Sequence, residues 1–240
     1  MSLTVNASGG GEDFPKLQPG KYEGTCFRIV DLGTSEQEYK GQVSKKKRIR
    51  LDFEITKAVD PDTNEIIMQD GRPFGVGKTY TASLFEAATL RKDLENWRDK
   101  TFTEEELEGF DVGVLVGMTA RIEIGHTAPS DYGPGGNAKI LKLSRPDGGV
   151  QKVATINPQT TFDIEDYCDE FNGNMGEKSK AMVDIYDQLP KYLQIEIEKS
   201  FEYQAAVEDG EKVETKPAEP GLADLAKPDE DKDDEPNIPF

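Results

Sequence analysis

Five cations crowd one short stretch: Lys45, Lys46, Lys47, Arg48 and Arg50. Grouped in this way they suit a string of phosphates, the lysines as point charges and the arginines as two-pronged donors. Tyr39 lies just upstream. A second set follows Tyr132, which sits in the Gly/Pro-rich segment APSDYGPGGN, and comprises Lys139, Lys142 and Arg145. Cations that track a backbone, mixed with aromatic plates on which bases stack, are what single-stranded nucleic acid requires. Each stacked base contributes about 1–3 kcal/mol whatever its identity. Phe74 and Tyr80 are two further candidate plates, although core positions would suit them equally. The plain alternative for the basic run is a solvated strand edge that discourages pairing with another chain.

Other chemistry finds less in the sequence. GVGKT at 75–79 invites a phosphate-loop reading, but that pattern needs glycine where Arg72 stands, and the segment leads into a strand rather than a helix. His126 is the single histidine and has no nucleophile motif beside it. Glu104, Glu105 and Glu106 are consecutive, so on a helix they point in different directions and read as a solvated first turn. Cys26 and Cys168 lack any short spacing, which argues against a disulfide framework and a zinc site and favours a reduced, cytoplasmic setting. The expectation is a protein without catalytic residues, metal or cofactor, and without a membrane span.

Charge is divided unevenly. Residues 1–150 carry 20 Lys+Arg against 24 Asp+Glu, whereas residues 151–240 carry 9 against 23. The first part can hold a basic face; the last part cannot.

The elements that must carry these residues follow from periodicity. Residues 1–15 are small, polar and Gly-rich and read as a flexible arm. A strand is expected from Lys21 to Leu32, then a polar loop through KKK, then a strand in which Ile49, Leu51, Phe53 and Ile55 alternate with Arg48, Arg50, Asp52 and Glu54. The third strand is KTYTASL. A helix opens near Ser83 with Leu84, Leu90, Leu94 and Trp97 on one stripe, and Thr103 with Glu106 forms a capping box. Strands four and five are MTARIEIGHT and AKILKLSR. Three strands, a helix and two strands over 16–150 is the order of a five-stranded OB-type barrel, so the chain is expected to be mainly β. In that fold the basic run enters strand two beside the oligonucleotide-binding loops.

Residues 158–205 read as a helical extension of short amphipathic helices, which must bury their stripes on the barrel or on a second copy in a homodimer. From 206 to 240 the chain is charged and poor in aromatics, and reads as a disordered acidic tail. It ends DEDKDDEPNIPF, an anionic block followed by the apolar tip Ile238, Pro239 and Phe240.

That ending resembles the terminal tip of bacterial single-stranded DNA-binding proteins, with Asn237 where they carry aspartate. The segment KTFTEEELEGFDVGVLVGMTARIEIGHT followed by NAKILKL is similar to small phage-encoded OB proteins of replication modules. Together these resemblances imply a sequence-independent single-stranded DNA-binding protein of phage replication, recombination or repair. The tail would regulate access of DNA and recruit a polymerase, helicase or recombinase through Ile238–Phe240. An OB interaction scaffold or DNA mimic is the rival, and an NTPase the more distant one.

Overall fold

The computed structural model describes residues 17–57, 68–69, 72–128, 137–169 and 176–215. The period-two pattern of the second strand organises it. Ile49, Leu51, Phe53 and Ile55 face one way and are all buried, which fixes which side of strand β2 (Gln42–Lys57) is core. Strand β1 (Gly20–Tyr39) pairs with it antiparallel along nearly its whole length. The expected polar loop is therefore a strand ribbon, with pairs such as Glu36 with Lys45 and Gln37 with Ser44. It lacks hydrophobic alternation because both its faces are largely solvated. Lys40 and Gly41, at φ 51° and 77°, make the two-residue turn that matches strand twist.

Two minimal strands, β3 (Met68–Gln69) and β4 (Arg72–Pro73), pair with each other. Strands β5 (Gly75–Thr81), β6 (Thr119–His126) and β7 (Ala138–Ser144) complete the main sheet in the order β5-β2-β1-β6-β7, all neighbours antiparallel. The sheet is open rather than a closed barrel. Cα atoms of β5 and β7 come within 8 Å, but no ladder joins these edges among the described residues. A sixth strand, β8 (Thr160–Phe162), pairs parallel with Arg28–Val30 of β1, where a helix was expected.

Helix α1 (Thr89–Arg98) begins later than Ser83 and presents Leu90, Leu94 and Trp97 to the core. The Trp97 ring meets Phe53 edge-on at 5.4 Å, and its Nε1 donates to the Thr119 carbonyl at 2.7 Å. Helix α2 (Glu104–Glu108) carries the expected capping box between Thr103 and Glu106.

The C-terminal helices are α3 (Ile164–Cys168), α4 (Glu177–Asp187), α5 (Lys191–Glu198) and α6 (Phe201–Thr215). The last runs past the boundary placed at 206. They cover β1 from the side opposite the first core. Val30 and Leu32 of β1 form a second core with Phe162, Ile164, Leu193 and Ile197. Strand β1 is thus buried on both faces, and the extension is part of the fold. Two polar clasps reinforce it. Glu202 accepts from the Thr34 amide at 2.7 Å and hydroxyl at 2.6 Å, and Glu196 accepts from Arg48 at 2.8 Å. Upstream, buried Glu54 accepts from the amides of Ile156 and Asn157 and from Asn157 Nδ2.

These clasps predict an acid response. Burial raises the Glu202 carboxyl, but the Thr34 bonds and Lys47 outweigh it and hold it below its usual value. Arg48 does the same for Glu196. Both contributions are complete above the unfolded carboxylate pKa of about 4.3, and fade as pH falls through the lower folded values. Denaturant titrations from about pH 5 to 2.5 should therefore show Glu202→Gln losing less stability over that window than wild type. Parallel curves would disprove the clasp.

Candidate nucleic-acid interface

The outward face of β2 carries Arg48, Arg50, Asp52 and Glu54, and each stands opposite a small residue of β5: Thr81, Thr79, Gly77 and Gly75. Long charged side chains can therefore lie across the neighbouring strand. Asp52 is 3% exposed and takes both Arg28, through Nε at 2.9 Å and Nη2 at 2.7 Å, and Arg50, through Nε at 2.7 Å. Two guanidiniums share one carboxylate, so this trio carries a net positive charge. Gly77 is where that pair crosses β5, and a Cβ there would overlap both the Asp52 carboxylate and the Arg50 guanidinium. GVGKT is accordingly a strand whose glycines make room for a charge cluster.

Beyond the cluster, β5 and the turn into α1 border a groove of about 600 Å³. Lys46, Thr79, Thr81, Ser83 and Phe85 line it, with Lys78 and Tyr80 at its base. Phe85 is 74% exposed. The Ser83 hydroxyl accepts from the Phe85 amide at 3.2 Å and shapes the turn that holds the ring out. Lys78 is bound to Asp93 at 2.7 Å, while Lys46 has no ion-pair partner among the described residues.

The five cations of the basic run do not act alike. Lys47 lies between Asp31 at 3.0 Å and Glu165 at 3.2 Å, and Arg48 is held by Glu196. Both tie the extension to the sheet. Lys45 sits 3.8 Å over the Phe201 ring, and Arg50 packs 5.4 Å from the Tyr192 ring. Of the five, Lys46 lines the groove, and Arg50 reaches toward it through the Thr79 hydroxyl at 3.5 Å. Lys139 and Lys142 are exposed on β7, separated from β2 by two strands in the sheet order, and Arg145 pairs with Asp99 at 3.0 Å.

Two expected plates are core instead. Phe74 is buried among the apolar side chains. Tyr80 is buried with its hydroxyl donating to Asp93 at 3.0 Å, and burial beside that carboxylate drives its phenol pKa upward. Its pairing with Ile49, on the inward face of β2, explains why. The side chain of Tyr39, and all of Tyr132, Ile238, Pro239 and Phe240, lie outside the described residues. The exposed aromatics beside the cations include two that the periodicity passed over: Phe85, absorbed into the expected helix start, and Tyr192, 52% exposed. The signal for Tyr192 was available, since Leu193 and Ile197 define the buried stripe of α5 and Tyr192 falls off it.

Elsewhere the titratable groups are structural. His126 Nε2 lies 2.8 Å from the Leu17 carbonyl, and burial pushes both cysteine thiols up, Cys168 to about 11. Among the described residues no group of three His, Cys, Asp or Glu side chains is arranged to hold a metal, and no helix is long and apolar enough to cross a membrane. No family profile, curated protein or solved structure matches the chain.

Proposed function

We propose that this protein binds single-stranded DNA without sequence preference, along the outward face of β2 and β5 and the adjoining groove. The main sheet would be the five strands of an OB-type fold, with α1 between the third and fourth. The observation that carries the reading is the groove itself, where Lys46, a lysine without an ion-pair partner among the described residues, and an open aromatic ring, Phe85, share one concavity with a row of hydroxyls. Phosphate would be met by Lys46 and Arg50, and a base by Phe85. Sequence tolerance follows because every base offers a π-face. In the same reading the acidic C-terminal segment regulates access, and its Ile238-Pro239-Phe240 end recruits replication proteins.

Titration of a fluorescent 20-residue oligothymidine tests this. Wild type should bind with a log–log salt slope of about −0.7 per phosphate neutralised. Lys46→Glu should weaken binding about tenfold at low salt and flatten that slope by about 0.7. Phe85→Ala should weaken it about 5- to 150-fold with little change in slope. Absence of wild-type binding, or unchanged affinity in both variants, would refute the assignment.

A further inference from the structure

The helical extension looks at first like a cover over a basic strand, since its carboxylates neutralise Lys47 and Arg48. We infer instead that it is a working part of the binding surface: α5 supplies Tyr192 as a second stacking plate, braced by Arg50. This rests on the proposed single-stranded nucleic-acid site and extends it to an element with no role assigned so far.

Three observations carry the inference. First, α5 is fixed in place. Leu193 and Ile197 are buried in the core shared with Val30 and Leu32, so the helix cannot swing away without exposing that core. A cover that has to leave would not be built this way. Second, the same helix turns an aromatic outward. Tyr192 is 52% exposed, and Ile195, one turn further, is 39% exposed. Leaving both in water gives up apolar burial that a smaller polar residue would not forfeit. Third, Tyr192 is linked to the groove through Arg50. The Arg50 guanidinium lies 5.4 Å from the Tyr192 centroid and reaches the Thr79 hydroxyl at 3.5 Å, and Thr79 lines the groove.

The chemistry favours a nucleic-acid strand as occupant. Arg50 is anchored to Asp52 by its Nε and reaches Thr79 with Nη1, which fixes a guanidinium between the Tyr192 ring and β5. Glu196, on the same helix, is held by Arg48 at 2.8 Å and Lys199 at 3.2 Å, which offsets its charge against an incoming anion. A strand running from Phe85 past Arg50 to Tyr192 meets ring, cation and ring in succession, the alternation that unstacked bases and their phosphates present.

The test compares Tyr192→Ala and Tyr192→Phe in the full chain, on 20-residue oligothymidine, oligouridine and an abasic 20-mer of equal charge. Tyr192→Ala should bind oligothymidine about 5- to 150-fold more weakly and leave abasic affinity nearly unchanged. Tyr192→Phe keeps the ring and should recover most of the loss, with unfolding midpoints of both variants close to wild type. Equal losses on oligothymidine and the abasic strand would mean that the residue acts only by bracing Arg50. Wild-type affinity in Tyr192→Ala would remove α5 from the site, while binding to β2 and β5 still stood. Failure of the wild type to bind either pyrimidine oligomer would overturn both readings.

Discussion

Replacing Asp52 with alanine is expected to cost about 3–5 kcal/mol of stability, because it leaves two arginines without their shared carboxylate. Their side chains are only 14% and 18% exposed, so water cannot readily take its place. Arg28 is the more deeply committed, since both its Nε and Nη2 bind one Asp52 oxygen and its guanidinium packs 5.2 Å from the Phe27 ring. Chemical denaturation of Asp52→Ala measures the loss. A second substitution, Arg28→Met, should restore part of it by removing one of the stranded charges, and the double-mutant cycle gives the coupling. A penalty below about 1 kcal/mol would show that the cluster is solvated after all. Asp52→Asn keeps an acceptor but no charge and should fall between. The same substitution bears on function, since Arg50 loses the anchor that aims it along β5.

The charge cluster also marks how far sequence reasoning reaches. Which face of β2 is core follows from Ile49 through Ile55 alone, because a single register satisfies that alternation. The α2 capping box and the Leu90, Leu94, Trp97 stripe were legible for the same reason: each is a local pattern whose physics closes within a few residues. The β1–β2 ribbon beyond Leu32 was not, since a strand pair with both faces in water has no hydrophobic period to detect. The basic run was recognised but its roles were not. Lys47 and Arg48 differ from Lys46 through Asp31 of β1 and through Glu165 and Glu196, which reach them from distant helices. Likewise β8 is a strand because the β1–β6 ladder ends at Thr25, which leaves the edge of β1 at Arg28–Val30 open for an additional partner. Local propensity in TTF could not settle that.

Substituting valine at Gly33 is expected to cost about 2–5 kcal/mol and to separate the two halves of the proposed site. Gly33 has φ +68°, a left-handed conformation that costs an L-residue roughly 1–2 kcal/mol, and more when the side chain is β-branched. Space is also lacking. A Cβ would sit 2.6 Å from the Ser200 Cβ and 2.8 Å from Ile164 Cδ1, adding about 1–3 kcal/mol of overpacking. Both neighbours belong to the extension, so the strain falls on the seam between β1 and the helices rather than on the first core. Unfolding of Gly33→Val should therefore show the extension melting first, visible as helix loss before the Trp97 environment changes. Its oligothymidine-to-abasic affinity ratio should drop to that of Tyr192→Ala, because α5 is no longer held beside Arg50. Lys46 and Phe85 depend on β2, β5 and α1, so the residual affinity should still respond to Lys46→Glu. Gly33→Ala should lie between, strained in its backbone but less crowded. If Gly33→Val instead unfolds in one step, with every probe coincident and the affinity ratio of wild type, then the helices do not position Tyr192 through this seam.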